Sequence, residues 1–521
     1  MESATVFTAS PVAPAPTFRP RPASFEGFVH ARDARLFDGS GRELLLRGVG
    51  LGNWMLPEGY MWKFGQGAES PRQIEALTTR LLGEGAALRF WESFYEGYIT
   101  EADIERIAAS GFDHVRLPIN SRLIQNDDGS PRASGYAMID RLIAWCRKHR
   151  LWVLLDLHGA PGGQTGTNID DSPNNKPELF MEEEYRSLTI RLWRDLARTY
   201  ADETVVLGYD LLNEPLPNEW QHVYGDELAQ LYKDITAVIR EQDASHLIVY
   251  EGSHWATNWS IFTEVWDENS LLQFHKYWSS PDTESIAQFL DVRDRLGLPI
   301  YMGEGGENTL EWLYTAFRLY ESHDIGWNFW PWKKVETATS PVSIEAPGGW
   351  DSVVAAASDP RLEVTDAASI FDGLLANMSL DSSGWNHDVV AALLGEHPIV
   401  VPAWGFGMRG ADESYSSASA ATIDGIREYD AVVLAWASPG DHPANPFEQT
   451  DGRPYSSDEQ LVVTLQAGDW LEFEMTDVDA DDVRVIGAEA TTRVERSERG
   501  IRVVATAEST LSRLVMGSPR T

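Results

Sequence analysis

The sequence predicts an α/β protein: a (β/α)8 TIM barrel followed by a smaller antiparallel β-sandwich. Three observations predict it. Eight short apolar runs recur between residues 44 and 330. Amphipathic stretches of helical period lie between several of them. After about residue 400 the pattern changes to short alternating segments. At 521 residues the chain is too long for one ordinary domain. It suits a barrel of roughly 250 residues or more plus a second module.

The apolar runs are Leu44–Val49, Asp113–Leu117, Trp152–Leu157, Val205–Leu212, Leu247–Tyr250, Leu271–His275, Pro299–Met302 and Gly326–Trp330. Most are continuously apolar, the signature of parallel strands buried on both faces. Residues 100–110 form a helix capped by Thr100 and stopped at Gly111. Residues 136–149, 180–200, 223–242, 283–295 and 308–323 also read as amphipathic helices. Strand and helix in alternation predict a closed barrel, with an open doubly wound sheet as the rival topology. Residues 55–99 and 331–365 are long connections that leave strand C-termini, where a barrel keeps its site, so both are candidate walls of a cleft. The segments Gln460–Gln466, Trp470–Met475, Val483–Ile486 and Ile501–Ala505 suggest the sandwich. The expected organisation is a proline-rich flexible arm over 1–24, a barrel over 25–398 and a β-sandwich over 399–521.

A formal net charge of −38 argues against nucleic acid or an anionic membrane surface as partner, because both need a basic footprint. A neutral partner such as a sugar is compatible with it. The single cysteine, Cys146, excludes an intramolecular disulfide and reads as a buried, unreactive thiol. The N-terminus has no basic start and no long apolar run, and no run reaches the roughly 18–20 residues a membrane span needs. The expected location is cytoplasmic, or secreted if a leader has been removed. Gly48-x-Gly50-x-Gly52 follows a strand, but Pro57 and Gly59 prevent the helix that a dinucleotide site requires. No His/Cys/Asp cluster has metal-ligand spacing and no G-x-S-x-G elbow or phosphate loop occurs, so no metal or cofactor is expected. The oligomeric state stays open.

The chemistry is legible in where polar residues sit against the strands. Arg116, His158, Asn213, Glu214, His275, Tyr277, Glu304 and Trp330 all lie in or just after different predicted strands. In a barrel those positions converge on one rim. Two carboxyls facing each other there, Glu214 and Glu304, are the pair that cleavage of a glycosidic bond needs. One protonates the leaving oxygen; the other attacks the anomeric carbon or activates a water. A separation of about 5–5.5 Å would mean retention of configuration, and about 6.5–9.5 Å inversion.

The motifs VRLPI, LDLHGAPG, NEP at 213–215, a His-x-Tyr at 275–277 and Gly-Glu at 303–304, in that order, resemble glycoside hydrolase family 5, a family of retaining (β/α)8 β-glycosidases. The resemblance covers roughly residues 40–335. It implies Glu214 as acid/base, Glu304 as nucleophile, Arg116 beside the nucleophile and Asn213 on the sugar 2-hydroxyl. It also implies His158, His275 and Tyr277 lining the site, with Trp330 as the platform under the sugar. RGVGLGNWMLPEGYM at 47–61 is similar to the exo-β-1,3-glucanase branch, which implies that Glu58 contacts the terminal sugar and helps close the pocket. Gly50, Asn53 and the Gly305–Asn308 stretch depart from that branch's pattern. LQAGDWLEFEM at 465–475 resembles a fragment of a carbohydrate-binding sandwich, and a purely packing role is equally compatible.

The expected activity is therefore a retaining exo-β-glycosidase of glucosidase or exo-glucanase type. An endo-β-glucanase or β-mannanase of the same family, and a non-catalytic glycan-binding barrel, are the alternatives. Glu307 and Glu251 are the rivals for the nucleophile, Glu307 being expected to start a helix and favour its dipole. Trp327 and Trp332 are the rivals for the platform. Trp255, Trp259 and Trp278 follow strand ends and could stack on sugars or pack; Asn168 and Asp170 stay open.

Overall fold

The computed structural model describes residues 25–517 apart from 168, 397, 424, 444, 457–458 and 476–477. The arm expected over 1–24 and Asn168 lie outside the described residues. All eight predicted strands form, and they close into one parallel barrel. In chain order they are β1 (Arg47–Gly50), β2 (His114–Asn120), β3 (Trp152–Gly159), β4 (Val206–Asp210), β5 (Leu247–Glu251), β6 (Ser270–His275), β7 (Ile300–Gly306) and β8 (Gly326–Trp330). Trp327 of β8 pairs with Arg47 of β1, which completes the cylinder. Every residue of β2 and β3 is buried, as continuous apolar runs between barrel interior and helix ring require.

The helices fall where the period places them: α1 (Glu101–Ser110), α2 (Ala133–His149), α3 (Glu183–Tyr200), α4 (Gly225–Arg240), α5 (Ala287–Leu296) and α6 (Leu310–Ser322). Helix α1 shows why. The Thr100 amide donates to Asp103 at 2.9 Å, satisfying a donor at the helix start, and Gly111 ends the helix at φ 106. Cys146 is buried on α2, where burial pushes its thiol pKa up. A hairpin at His30–Arg32 and Arg35–Phe37 seals the N-terminal end of the barrel, Leu36 packing with Leu154, Leu207 and Leu271.

The two long connections are helical and pack on each other. The first carries helices Pro71–Leu82 and Glu84–Gly97; the second carries Trp350–Ser358 and Ala367–Asn377. Trp62 stacks on Phe94 at 5.1 Å, Phe64 on Trp350 at 5.5 Å, and Phe90 meets Phe371 edge-on at 5.0 Å. This aromatic cluster sets a rigid wall beside the C-terminal mouth of the barrel.

From Ile399 on, the strands form small antiparallel sheets, and the four segments read as sandwich strands are among them. The strands are short, and no strand is described between Trp436 and Leu461, a stretch rich in Pro, Gly and Asp. Among the described residues no helix is long and apolar enough to cross a membrane.

Candidate active site

The mouth of the barrel is organised around one buried cation. Arg116, on β2, is 0% exposed. Its Nη1 donates to Glu304 Oε2 at 2.8 Å and its Nε to Asp210 Oδ2 at 2.8 Å. Its Nη2 donates to Asn213 Oδ1 at 2.7 Å and to Glu251 Oε1 at 3.0 Å, with Asp156 Oδ2 at 3.2 Å. A planar guanidinium with five donors can serve several carboxylates at once; a lysine cannot.

Glu304 lies within β7, and Glu214 lies four residues past the last residue of β4. One carboxylate oxygen from each, with a ring nitrogen of His275, all lie within 4.8 Å of one another. His275 Nδ1 is 2.8 Å from Glu214 Oε1 and 4.0 Å from Glu304 Oε1. The Tyr277 hydroxyl donates to Glu304 Oε1 at 2.8 Å. Both oxygens of Glu304 are therefore held, one by a cation and one by a phenol. Burial pushes the Glu304 carboxyl pKa up, opposed by His275 and Arg116. For His275 burial acts downward, but Glu251 and Glu304 outweigh it and the imidazole stays protonated well above its usual range.

Asn213 fixes the state of His158. Its Oδ1 accepts from Arg116, so its Nδ2 is the donor to His158 Nε2, at 3.2 Å. His158 Nδ1 then carries the proton and donates to Asp156 Oδ2 at 2.8 Å. Burial lowers the His158 pKa to about 4, so the ring is neutral near pH 7. Its ring stacks on Trp330 at 5.4 Å, with planes 8° apart.

Trp330 closes β8, its Nε1 donating to Tyr60 at 2.9 Å and its peptide bond to Pro331 cis. Glycines at the end of β1 and just past it make room for it. A Cβ on Gly50 or Gly52 would stand 2.4 or 2.7 Å from the Trp330 ring. The rival tryptophans are engaged elsewhere: Trp327 Nε1 donates to Glu321 and Trp332 Nε1 to Asp103. Trp259 packs on Phe289 at 4.7 Å in the core. Trp278 is 38% exposed at the mouth.

Glu58 stands on the first long connection, its amide donating to Asn53 Oδ1 at 3.1 Å. It is 3% exposed, and among the described residues its Oε1 has no hydrogen-bond partner. Burial, then the charge of Glu304, raises its pKa well above the carboxylate range. Glu307 does not start a helix. Thr309 caps α6, accepting from the Trp312 amide, and Glu307 instead pairs with Lys334 from the second connection. The expected dipole role fails because a cation lies closer than the helix end. Asp170 closes its own loop: its Oδ2 accepts from Thr165 and Gly166, and its Oδ1 from Ser172.

Sequence reasoning missed Asp156, Asp210 and Gln273 and set Glu251 aside. Glu251 closes β5 and accepts from the Glu214 amide at 2.7 Å, from Arg116 and from Gln273. It holds Glu214 in a left-handed backbone conformation, φ 45. Such strain in a non-glycine residue persists where surrounding bonds over-determine it. A signal existed: Asp156 and Asp210 are charges in the middle of strongly apolar runs, and a buried charge needs a partner. Burial raises the pKa of Asp156 to about 8 and that of Asp210 well above its usual range, against the opposing charge of Arg116.

Residues 69–336 match the family described as Cellulase (glycosyl hydrolase family 5). The chain is similar to a β-xylosidase of Phanerodontia chrysosporium, 28% identical over 59% of this chain and 71% of that one. It is similar to a probable glucan 1,3-β-glucosidase A of Emericella nidulans, 32% identical over 48% of this chain and 62% of that one. It is also similar to endoglucanase C of Acetivibrio thermocellus, 26% identical over 47% of this chain and 88% of that one.

Proposed function

Since the chain belongs to glycosyl hydrolase family 5 and is a retaining glycoside hydrolase, we propose that it is an exo-β-glycosidase of β-glucosidase or exo-β-glucanase type. In this reading Glu304 is the nucleophile and Glu214 the acid/base. The observation that carries it is the approach of the two carboxylates to within 4.8 Å, each with its own partners. That approach favours the short separation of double displacement over the wider one of inversion.

A Glu304 oxygen attacks the anomeric carbon as the glycosidic C–O bond breaks, and Glu214 gives its proton to the departing oxygen. Glu214 then takes a proton from water, the water oxygen bonds to the anomeric carbon, and Glu304 leaves as carboxylate. Arg116 and Tyr277 orient the nucleophile and take up its returning charge. In this reading Asn213 also meets the sugar 2-hydroxyl, and Trp330, braced by His158, underlies the sugar ring. Residues 25–398 form the catalytic barrel in this reading, and 399–521 a C-terminal β-module.

Exo-action is supported by Glu58 and the wall that carries it. A buried carboxyl oxygen without a partner is an acceptor for sugar hydroxyls, and a leftover one is costly. Product analysis on a short β-glucan oligosaccharide tests this. Exo-action releases single sugars, or a single disaccharide, from one end. Internal fragments at early time would instead establish endo-action, and no cleavage of any β-glycoside would leave only glycan binding.

A further inference from the structure

The loop that carries Tyr277 is clasped from the C-terminal region. The Asn445 side chain donates from Nδ2 to the Trp278 carbonyl at 2.7 Å. The Arg427 amide donates to Asp282 Oδ2 at 2.9 Å, and Arg427, 1% exposed, is locked by bonds to the carbonyls of Trp404, Phe406 and Gly407. The barrel reciprocates: Asn308, just past the nucleophile strand, donates to the Phe447 carbonyl at 2.6 Å. Phe447 is buried against Trp404 at 5.5 Å, so this segment has a fixed seat.

Between these clasps stands Trp278. Its Nε1 donates to the Glu307 carbonyl at 3.2 Å, and its backbone is left-handed, φ 34. Its ring lies 5.4 Å from that of Tyr277, whose hydroxyl touches Glu304. A large indole held 38% exposed beside a buried centre, by hydrogen bonds from two parts of the chain, is more than a surface hydrophobe. The catalytic carboxylates are 5% and 8% exposed, so whatever projects from the buried sugar passes the exposed rim.

We propose that the segment Asn445–Phe447 forms part of the mouth, with Asn445 a positioning residue that fixes Trp278 as the face on which the leaving group rests. The C-terminal region then acts as a wall of the site, selecting a leaving group with a ring face, a sugar or an aryl group. This inference rests on the exo-glycosidase reading above.

The test compares leaving groups. β-Glucosyl fluoride releases fluoride ion, which has no face to stack. 4-Nitrophenyl β-glucoside and a β-linked glucose disaccharide present one. Asn445→Ala and Trp278→Ala are expected to lose roughly five- to tenfold in kcat/KM on the last two, mostly through KM, as an aromatic contact is lost. Asn445→Ala is expected to keep fluoride turnover within about twofold, and Trp278→Phe to recover most of the loss seen in Trp278→Ala. An equal loss on fluoride would show a merely structural role, and unchanged kinetics on all three would show no role; either overturns the proposal. Wild-type turnover of the fluoride checks the glycosidase reading separately.

Discussion

Removing the Glu251 carboxylate is expected to damage both stability and turnover, although it is not one of the proposed catalytic pair. In Glu251→Ala the Glu214 amide loses a 2.7 Å bond and Arg116 Nη2 a 3.0 Å ion pair. Both side chains of that pair are 0% exposed. Removing one partner of a buried ion pair costs about 3–5 kcal/mol, and an orphaned buried amide about 1–3 kcal/mol. These terms share groups and do not add, so a loss of about 3–5 kcal/mol is expected. Glu251→Gln keeps the volume and one acceptor but turns an amide NH2 toward the donors of Arg116 or Gln273. It should lose about 1–2 kcal/mol. With Glu214 freed from its left-handed conformation, misplacement of its carboxyl by about 1 Å should lower kcat up to about 100-fold with KM little changed. Denaturant unfolding and steady-state kinetics on an aryl β-glucoside measure both. A Glu251→Ala protein with wild-type stability and kcat would refute the reasoning.

Glu214→Ala should lose about 10²–10⁴-fold on substrates whose leaving oxygen needs a proton, and far less on a dinitrophenyl glycoside. Added azide should restore turnover as a β-glycosyl azide, and an equal loss on all leaving groups would remove Glu214 from the acid role. Arg116→Lys cannot reproduce the fork to Glu304, Asp210 and Glu251. It should cost about 2–4 kcal/mol of transition-state stabilisation, a roughly 30- to 1,000-fold drop in kcat/KM, and near-normal kinetics would contradict that. His114 is buried and neutral, its pKa lowered by burial to about 3. The unfolded chain protonates it near pH 6.5, so its contribution is intact above that pH and is lost as pH falls toward the folded value. The slope is about 1.4 kcal/mol per pH unit, and His114→Gln should remove it from the stability profile between about pH 6 and 4. An unchanged slope would show that His114 is already protonated in the fold.

The barrel was legible because most of its strands are buried on both faces and so read as continuous apolar runs. The caps of α1, Thr100 and Gly111, were legible because their chemistry is local. Other features depend on groups distant in sequence. Nothing in the chain around Glu307 reveals that Lys334 will meet it, and without that pair a carboxylate two residues before Thr309 looks like a helix-dipole residue. Trp330 is favoured over Trp327 and Trp332 by its place at the end of β8, and their indole partners separate the three. In the Gly48–Gly52 run, a failed nucleotide motif in sequence, Gly48 leaves space for His114 and Gly50 and Gly52 for the Trp330 ring. The C-terminal strands at 460–466, 470–475, 483–486 and 501–505 were legible from their alternation, whereas the stretch holding Asn445, in which no strand is described, carries no periodic signal.

The most direct measurement is to trap the glycosyl-enzyme. A 2-deoxy-2-fluoro β-glucoside with a good leaving group slows both steps but hydrolysis more, so an ester accumulates and peptide mass spectrometry locates it. The account predicts a single fluoroglucosyl group on Glu304. A label on Glu307, Glu251 or Glu214, or turnover of this reagent by Glu304→Gln, would contradict it.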